Sequence, residues 1–374
     1  MAKCRAWVMV EPGRVVMEEF AIPKVAEDCA LLKVEACGIC GTDKHVYLGH
    51  SPTASFPFIA GHEIIGTIVA MGSKANDSMA VFGGALEVGD WVSVPPGPMT
   101  CGRCYYCLHM PHRPTFCTAR NILYGFTSTK KPPGLWGGFS EYVYLLNKTN
   151  IFKLPKDMPM KRAVLIEPVA SGLRAVERAY SPGEPFMSHG YGVGRSIMVL
   201  GTGPIGLMVI ASLRYSGAGL IIAQDLLSSR LDMAKRMGAD LLIDGNLPLE
   251  ERLKQVREAT DGVGPDVVLE TAGAPVAFRE ALDFARRGGK LIEVGNFTDN
   301  GATDIHPFYI CYKDLDIHGS WGYPALIFRD AISLLERIPL PVEEVVTHTL
   351  PLEEFPKGLE LMGSEGVGKV VITP

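Results

Sequence analysis

The pattern of apolar and polar positions in the first part of the chain is that of short β-strands. Up to about residue 160, short apolar runs are separated by Gly and Pro, and no long stretch shows helical periodicity. Four of these runs are predicted strands: Leu31–Ala36, Ile64–Ala70, Trp91–Val94 and Tyr142–Leu146. Regular spacing of such runs predicts a compact domain that resembles a β-barrel.

From about residue 172 the pattern changes, and apolar strands alternate with amphipathic helices. The predicted strands are Ser196–Leu200, Leu220–Gln224, Leu241–Asp244, Asp266–Glu270, Lys290–Val294 and Asp316–Gly319. The predicted helices are Ile205–Tyr215, Ser229–Met237, Leu249–Glu258 and Pro275–Arg286. This alternation predicts a doubly wound parallel sheet with helices on its faces.

From about residue 340 the chain returns to short β runs, Val345–Leu350 and Gly368–Thr373, and we expect this tail to rejoin the first domain. The predicted domains are therefore residues 1–170 together with 325–374, and residues 171–324. A chain of 374 residues is long enough for two domains that each bury a core.

Two stretches are predicted to be loop insertions. Ser73–Leu86 is rich in Gly and Ala, and Ser181–Arg195 is a partly apolar linker directly before the sheet begins. Because a long loop in a compact domain is usually functional, we expect the second loop to lie near the cofactor cleft or a neighbouring subunit.

Composition and charge exclude several classes of function. Hydrophobic residues make up 47% of the chain and charged residues 21%, as in an ordinary soluble globular protein. A net charge of −5 argues against a surface for nucleic acid or anionic membrane. The N-terminus has no signal-peptide pattern, and glycines and Pro204 interrupt the most apolar window, Ile197–Leu213. We therefore predict a cytoplasmic protein that binds neither nucleic acid nor membrane.

Four of the nine cysteines are concentrated in one short segment. They are Cys101, Cys104, Cys107 and Cys117. Two-residue spacers let successive thiolates bind one ion, so the segment predicts a closed tetrahedral zinc site that braces a loop. Two disulfides are the alternative, disfavoured because intracellular thiols stay reduced. His109 and His112 could compete as ligands, but with four thiols available we expect both to face solvent.

A glycine-rich turn follows the first predicted strand of the parallel sheet. Its sequence is Gly201-Thr-Gly203-Pro204-Ile205-Gly206, at the start of a predicted helix. Gly201 permits a tight turn, Gly203 lets a pyrophosphate approach the backbone, and Gly206 lets the helix pack close to the strand. In this context the motif predicts a dinucleotide-binding site.

The next predicted strand is followed by an acidic residue, Asp225. Its carboxylate is placed to accept hydrogen bonds from an adenosine ribose and to repel a 2′-phosphate, which favours NAD over NADP. The alternative is a helix N-cap, and both roles can coexist. Arg230, on the following helix, either packs over the ribose or adenine or is a surface residue.

A second group of metal-binding residue types lies outside the cysteine-rich segment. Cys40 is part of Cys-Gly-Ile-Cys-Gly-Thr-Asp-Lys-His, His62 and Glu63 follow in Gly-His-Glu, and Glu167 precedes Pro168. Three protein ligands plus water form an open catalytic zinc site, and Cys40, His62 and one carboxylate satisfy that pattern. Such a metal polarises an alcohol oxygen and lowers its proton affinity.

These blocks, taken in order, resemble the zinc-dependent medium-chain alcohol dehydrogenases over nearly the whole chain. The resemblance implies that Cys40 and His62 bind the catalytic zinc and that the four clustered cysteines bind the structural zinc. It implies that Thr42 contacts the substrate oxygen, that His45 relays its proton to solvent, and that Asp43 orients His62. It also implies a GroES-like β-barrel catalytic domain and a Rossmann coenzyme domain.

The third ligand of the catalytic zinc separates branches of this family. Ethanol-oxidising members have a cysteine there, whereas Glu167-Pro168 is similar to the sorbitol and butanediol dehydrogenase branch. Threonine dehydrogenases show an Asp-Pro-Phe-Gly stretch that this chain lacks. We expect Glu167 to be the ligand or its immediate partner, with Glu63 as the rival carboxylate, and Pro168 to favour an extended backbone at Glu167.

The sequence as a whole predicts an NAD-dependent zinc enzyme that oxidises a secondary alcohol or polyol to a ketone. The alternatives are an amino alcohol, an aldehyde or a primary alcohol as substrate and, more remotely, a zinc protein that binds nucleotide without catalysis. The apolar run Ile317–Phe328 follows or forms the last strand of the sheet, so we expect a homodimer or homotetramer.

Overall fold

The computed structural model describes residues 2–51, 54–97, 100–119, 122–180 and 192–374. Most of the predicted insertion Ser181–Arg195 therefore lies outside the described residues. By internal contacts the chain forms two compact units. Unit 1 comprises Met1–Glu167, Tyr323–Arg337 and Val346–Pro374, and unit 2 comprises Pro168–Gly322 and Ile338–Val345. The domain limits drawn from the sequence stay a prediction.

The secondary structure is mixed, with strands concentrated in unit 1. The strands are β1 Lys3–Glu11, β2 Arg14–Ala21, β3 Ala30–Gly38, β4 Phe58–Ile59, β5 Glu63–Met71, β6 Ala80–Phe82, β7 Trp91–Val94, β8 Tyr142–Leu145, β9 Asn150–Lys153, β10 Ser196–Leu200, β11 Leu220–Asp225, β12 Leu241–Asp244, β13 Val267–Glu270, β14 Lys290–Glu293, β15 Asp316–Gly319, β16 Val346–Pro351 and β17 Lys369–Thr373. The α-helices are α1 Gly41–Tyr47, α2 Ala75–Ser78, α3 Tyr105–His109, α4 Met160–Ala163, α5 Ile166–Ala179, α6 Pro204–Tyr215, α7 Ser228–Arg236, α8 Leu249–Glu258, α9 Pro275–Phe284, α10 Pro307–Lys313, α11 Ile327–Arg337 and α12 Phe355–Leu361. None of the helices in the described ranges is long and apolar enough to cross a membrane.

Unit 1 is built from two sheets that share one apolar core. The larger sheet has the order β16-β17-β3-β5-β7-β9-β6, with β8 also paired to β3, and the smaller sheet has the order β2-β1-β4. Trp136, Phe139 and Phe355 are fully buried in its core. The register of β3 and β5 places Gly38 opposite Glu63, so the chain leaving β3 reaches Cys40 next to the start of β5.

Unit 2 contains a six-stranded parallel sheet in the order β12-β11-β10-β13-β14-β15. This is the strand order of a doubly wound dinucleotide-binding fold, so the fold predicted from the alternating pattern is confirmed. Apolar side chains on both faces bury the central strands, including Met198, Ile222 and Val268. In such sheets the ligand crevice lies at the carboxyl ends of the two strands where the order reverses, here β10 and β13.

Two local predictions were wrong. Ser73–Leu86 contains a short helix, α2, and a strand, β6, which pairs with β9. Glu167 lies within α5 and is not extended, because Pro168 falls in the first helical turn, where a missing N–H costs nothing. The last strand of the sheet, Asp316–Gly319, has its predicted bounds, and the apolar run Ile317–Phe328 overlaps this strand and ends at Phe328, a fully buried residue of α11.

Candidate metal centres and dinucleotide site

The cysteine-rich segment brings its four thiols together. The Sγ atoms of Cys101, Cys104, Cys107 and Cys117 all lie within 4.8 Å of one another. Sγ of Cys107 is 3.8 Å from that of Cys101 and 3.4 Å from that of Cys104, and all nine cysteines are free. His109 and His112 are exposed and lie outside this cluster. Four converging thiols without disulfides fit the closed tetrahedral zinc site of the prediction.

Backbone N–H groups point at the thiols of this loop. The N–H of Cys101 donates to Sγ of Cys117 at 3.3 Å, and the N–H of Cys104 donates to Sγ of Cys101 at 3.3 Å. Backbone donors from Thr118 and Cys107 lower the pKa of Cys104 to about 6. Because the thiolate is the form that binds metal, these donors favour a bound zinc ion.

A second cluster forms where β3, α1 and β5 meet in unit 1. Ligand atoms of Cys40, His62 and Glu63 lie within 4.8 Å of one another. Cys40 precedes the first turn of α1, His62 precedes β5, and Glu63 is the first residue of that strand. Cys37 is fully buried and does not belong to the cluster, and burial raises the pKa of its thiol well above the usual range. Cys37 is therefore part of the core.

Asp43 holds this cluster together. One carboxylate oxygen accepts a 2.9 Å hydrogen bond from the Cys40 N–H, and the other accepts a 3.4 Å hydrogen bond from the Gly61 N–H. The latter oxygen also faces Nδ1 of His62 at 3.8 Å. Asp43 thus fixes the start of α1 against the segment that carries His62. Its approach to the imidazole is an electrostatic contact, since Nδ1 of His62 has no hydrogen-bond partner among the described residues.

The Glu63 carboxylate is shared between the cluster and a buried lysine. Oε1 accepts a 2.6 Å hydrogen bond from Nζ of Lys369, which also donates to the Ile39 carbonyl at 3.1 Å. Both charged side chains are buried, at 2% exposure or less. Oε2 of Glu63 is buried without a hydrogen-bond partner among the described residues. Lys369 was missed by sequence reasoning because 306 residues separate it from Glu63.

Glu167 lies beside the cluster, although it is not one of its three members. It is 7% exposed, and its Oε1 accepts a 2.6 Å hydrogen bond from the Tyr323 hydroxyl. Burial raises the pKa of the Glu167 carboxyl, while nearby His62 opposes that rise. Tyr323, which sequence reasoning also missed, therefore holds Glu167 at the edge of the donor group.

The electrostatics of this cluster suit a cation. Burial disfavours a charged His62, but Cys40, Asp43 and Glu167 outweigh burial and raise its pKa to about 10. A proton on His62 is thus stabilised by anionic groups that converge on the ring. A zinc ion fits this site, because the donors are a cysteine, a histidine and a carboxylate. It would also give a partner to the buried Oε2 of Glu63, which has none among the described residues.

The two residues expected to move the substrate proton lie on α1. Oγ1 of Thr42 is 3.6 Å from Sγ of Cys40, which places the hydroxyl at the donor cluster. His45 follows three residues later, on the same side of the helix. It is half-buried, and its Nδ1 is 3.1 Å from Nδ1 of His50.

The glycine-rich turn of unit 2 has the geometry that its sequence predicts. Gly201 has a φ of +86°, and a side chain there would meet Cα of Ala272 at 2.5 Å. A side chain at Gly206 would meet the Gly201 carbonyl oxygen at 2.0 Å, so α6 packs directly against the turn. Gly203 has open space around it, and Pro204 and Ile205 start α6. The first-turn N–H groups of α6 are therefore accessible to an anion.

Asp225 lies at the end of β11 and is tied to this turn. Its Oδ2 accepts hydrogen bonds from the Thr202 N–H at 2.7 Å and the Thr202 hydroxyl at 3.1 Å, and its Oδ1 accepts one from the Leu227 N–H at 3.0 Å. Arg230 reaches this carboxylate at 3.9 Å. Leu227 is the N-cap of α7, so Asp225 supports the start of that helix from two residues before its N-cap.

Comparisons with known proteins agree with this geometry. Residues 26–156 match the alcohol dehydrogenase GroES-like domain, and residues 204–337 match the zinc-binding dehydrogenase family. Sorbitol dehydrogenase of Bacillus subtilis is 34% identical over 360 residues, covering 95% of this chain and 92% of its own. L-threonine 3-dehydrogenase of Bacillus licheniformis is 33% identical over 368 residues, covering 97% and 96%.

Solved structures of similar proteins cover the whole chain. An alcohol dehydrogenase from Thermotoga maritima superposes with a TM-score of 0.88 at 28% identity, covering 100% of both chains. A protein from Sinorhizobium meliloti 1021 with NADP bound gives 0.84 at 26%, and an alcohol dehydrogenase from Escherichia coli CFT073 with NADH gives 0.80 at 27%, each covering 100% of both chains. From these matches and the two metal-type clusters, we conclude that the chain belongs to the zinc-dependent medium-chain alcohol dehydrogenases, a family of oxidoreductases that act on small-molecule alcohols.

Proposed function

We propose that this enzyme oxidises a secondary alcohol or polyol to a ketone, with NAD as the hydride acceptor. The observation that carries the proposal is the group of half-buried Cys40 and buried His62 and Glu63, with the Thr42 hydroxyl beside it. Glu167, at the edge of this group, takes the place that a cysteine takes in ethanol-oxidising members. We propose a second, structural zinc on the four cysteines of the 101–117 loop.

The proposed chemistry divides between the bound groups and the side chains of this chain. Zinc, when bound, supplies a Lewis acid that makes an alcohol proton easier to remove, and the nicotinamide supplies the hydride acceptor. Thr42 accepts the hydroxyl proton and His45 receives it for release. Asp43 keeps His62 in the ligand tautomer, and Lys369 holds Glu63 through one oxygen, which leaves the other for the metal.

We propose NAD rather than NADP because Asp225 ends the second strand of the parallel sheet. A carboxylate at this position binds ribose hydroxyls and repels a 2′-phosphate. Solved relatives include one protein with NADH and one with NADP, so the family alone does not favour either cofactor. The Asp225 carboxylate is 8% exposed and accepts three hydrogen bonds from the protein, so it is rigidly placed.

Other substrates remain as alternatives. An amino alcohol is favoured by the similarity to L-threonine 3-dehydrogenases, and an aldehyde or primary alcohol would use the same donor cluster. A zinc protein that binds nucleotide without catalysis is the remote alternative. We also propose a homodimer or homotetramer, and a cytoplasmic location because a four-thiolate zinc site needs reduced cysteines.

A panel assay tests the substrate and the cofactor together. The zinc-loaded enzyme is mixed with NAD or NADP and with sorbitol, 2,3-butanediol, L-threonine or ethanol, and the reduced cofactor is followed by its absorbance. We expect kcat/KM to be highest for a secondary alcohol or polyol with NAD, by at least about tenfold over the other classes. Preference for L-threonine or ethanol would contradict the substrate class, and equal use of NADP would contradict the role of Asp225.

A further inference from the structure

A second histidine lies against His45 at the end of α1. Nδ1 of His50 is 3.1 Å from Nδ1 of His45, a distance at which one ring nitrogen donates a hydrogen bond to the other. The two rings are tilted by 38°, with centroids 5.4 Å apart. His45 is half-buried, whereas His50 is exposed. The pair therefore extends from a partly desolvated ring to a ring in water.

The backbone fixes this pair. After α1 ends, Gly49 takes a φ of +86°, its N–H donates to the Val46 carbonyl at 3.0 Å, and the His50 N–H donates to the His45 carbonyl at 2.9 Å. This pair of hydrogen bonds is that of a Schellman motif at the end of a helix. The motif places His50, the second residue after the C-cap Leu48, against His45, the third residue before the C-cap. An apolar contact usually joins those two positions, but here both are histidines.

Charge at the pair favours movement of a proton outward. Burial, and then His50, lower the pKa of His45, so a positive charge is disfavoured on the inner ring. His50 is the one titratable group in the described ranges that contributes to this shift. Lys44, the neighbouring cation on α1, turns its ammonium away to the Leu359 carbonyl at 2.6 Å. A positive charge on the exposed His50 ring remains hydrated and therefore costs little free energy.

We propose that His50 is a positioning residue that completes the proton exit of the enzyme by accepting the proton from His45 and releasing it to water. The proposal rests on the proposed function, in which Thr42 and His45 take the substrate proton. His45 receives that proton on one ring nitrogen and gives its Nδ1 proton to Nδ1 of His50. His50 then releases its Nε2 proton to water. One proton leaves the alcohol, one enters solvent, and both rings end neutral.

The kinetic test compares His50→Asn with the wild type in weak buffer. Asparagine places a polar atom near the position of Nδ1 but cannot carry a proton, and His112→Asn, at another exposed histidine, is the control. We expect the kcat of His50→Asn to fall on the order of tenfold with KM unchanged. The solvent isotope effect on kcat should increase, and imidazole buffer should restore kcat because imidazole can accept the proton in place of His50. An unchanged kcat, or a loss that imidazole does not restore, would overturn the proposal.

An NMR titration tests the pair without using activity. Ring signals of the nine ¹⁵N-labelled histidines are followed in the zinc-loaded protein, and His50→Asn assigns the pair. We expect the titrations of His45 and His50 to be coupled, and the pKa of His45 to rise in His50→Asn. Independent titration would contradict the relay even if the enzyme were inactive. If the wild type oxidises alcohols while His50→Asn is unaffected, the proposed function stands and only the relay fails.

Discussion

Two buried carboxylates near Cys40 each have a side-chain partner in the described structure. Glu63 is paired with Lys369, and Glu167 accepts a hydrogen bond from Tyr323. Burial of an unpaired charge costs several kcal/mol, so such groups persist only when paired or bound to a metal. The remaining oxygen of Glu63 lacks a partner among the described residues, and a zinc ion would supply one.

Motifs near one another in sequence predicted Cys40, His62 and Glu63, but they could not predict Lys369 or Tyr323. Lys369 is 306 residues from Glu63, and Tyr323 is 156 residues from Glu167. These contacts depend on tertiary packing, which no local pattern encodes. One usable signal was the position of Lys369 at the start of an otherwise apolar strand, since a lysine there has to find a buried partner.

Substitution of Glu167 tests its role at the catalytic zinc. We expect Glu167→Ala to lower the affinity of this zinc, or kcat, on the order of 10- to 100-fold, because one carboxylate next to the metal is lost. Zinc content by mass spectrometry and NAD binding by titration are the measurements, and the structural zinc and the NAD affinity should not change. Glu167→Gln, which keeps the volume, should show the same loss. Wild-type zinc affinity and kcat in both variants would contradict the role.

Glu270, which is buried, and Glu293, which is half-buried, form a second pair of acids at the carboxyl ends of β13 and β14. Burial and the neighbouring Glu293 raise the pKa of Glu270 to about 9. Its Oε1 nevertheless accepts hydrogen bonds from the N–H groups of Ala272 at 2.8 Å and Gly273 at 2.9 Å. Burial and Glu293 outweigh these two N–H donors, so the balance favours a protonated Glu270 at neutral pH.

This shift predicts how stability depends on pH. Between the ordinary pKa of 4.5 and about 9, the folded state holds a proton on Glu270 that the unfolded state has lost. The free energy of unfolding contributed by this group therefore falls as pH rises, by on the order of 1 kcal/mol per pH unit. Glu270→Gln, which is always neutral, should flatten the fall, as measured by urea unfolding between about pH 5 and pH 8.5. Exposed Glu251→Gln is the control, and parallel curves for Glu270→Gln and the wild type would contradict the shift.

At the level of elements, the six strands of unit 2 and the helices α6 to α9 were predicted to within two residues, whereas α10 was not predicted. β10, β12, β15 and α8 have the predicted bounds, because buried parallel strands are short apolar runs and the helices between them are amphipathic. α5 was missed because Pro168 and Gly172 interrupt its pattern. Pro168 falls in the first turn, where proline is tolerated, and a side chain at Gly172 would meet the backbone of Met208 at 3.1 Å.

The cysteine-rich loop has little secondary structure of its own, so we expect its order to depend on the proposed structural zinc. It contains α3, five residues long, and one short 3₁₀ turn. We expect Cys104→Ser to lose about one of two zinc ions per chain and to lower the melting temperature, because structural zinc contributes folding energy directly. Metal analysis and thermal unfolding measure this. The control is Cys311→Ser, at an exposed cysteine outside both clusters, which should keep both zinc ions. If Cys104→Ser also keeps both zinc ions, the proposal of a structural zinc site is contradicted.

At the scale of the whole molecule, β15 forms one edge of the six-stranded sheet. The helix before it, α10, exposes Phe308 at 56% and Tyr312 at 53%. An edge strand beside exposed aromatic residues favours pairing with a second copy of the chain.

We therefore expect light scattering at micromolar concentration to give at least twice the chain mass of 40.5 kDa. Phe308→Asp should shift the enzyme toward the monomer, whereas Val263→Asp, at another exposed apolar residue, should not. A monomeric wild type would contradict the assembly.

The central claim is that alcohol oxidation depends on zinc at Cys40, His62 and a neighbouring carboxylate. The most direct measurement is the rate of NADH formation from a secondary alcohol as a function of zinc bound per chain. The account predicts no measurable rate with only the four-cysteine site filled, and a rate that rises in proportion to the second zinc. Full activity with one zinc per chain, or an unchanged rate in Cys40→Ser, would contradict it.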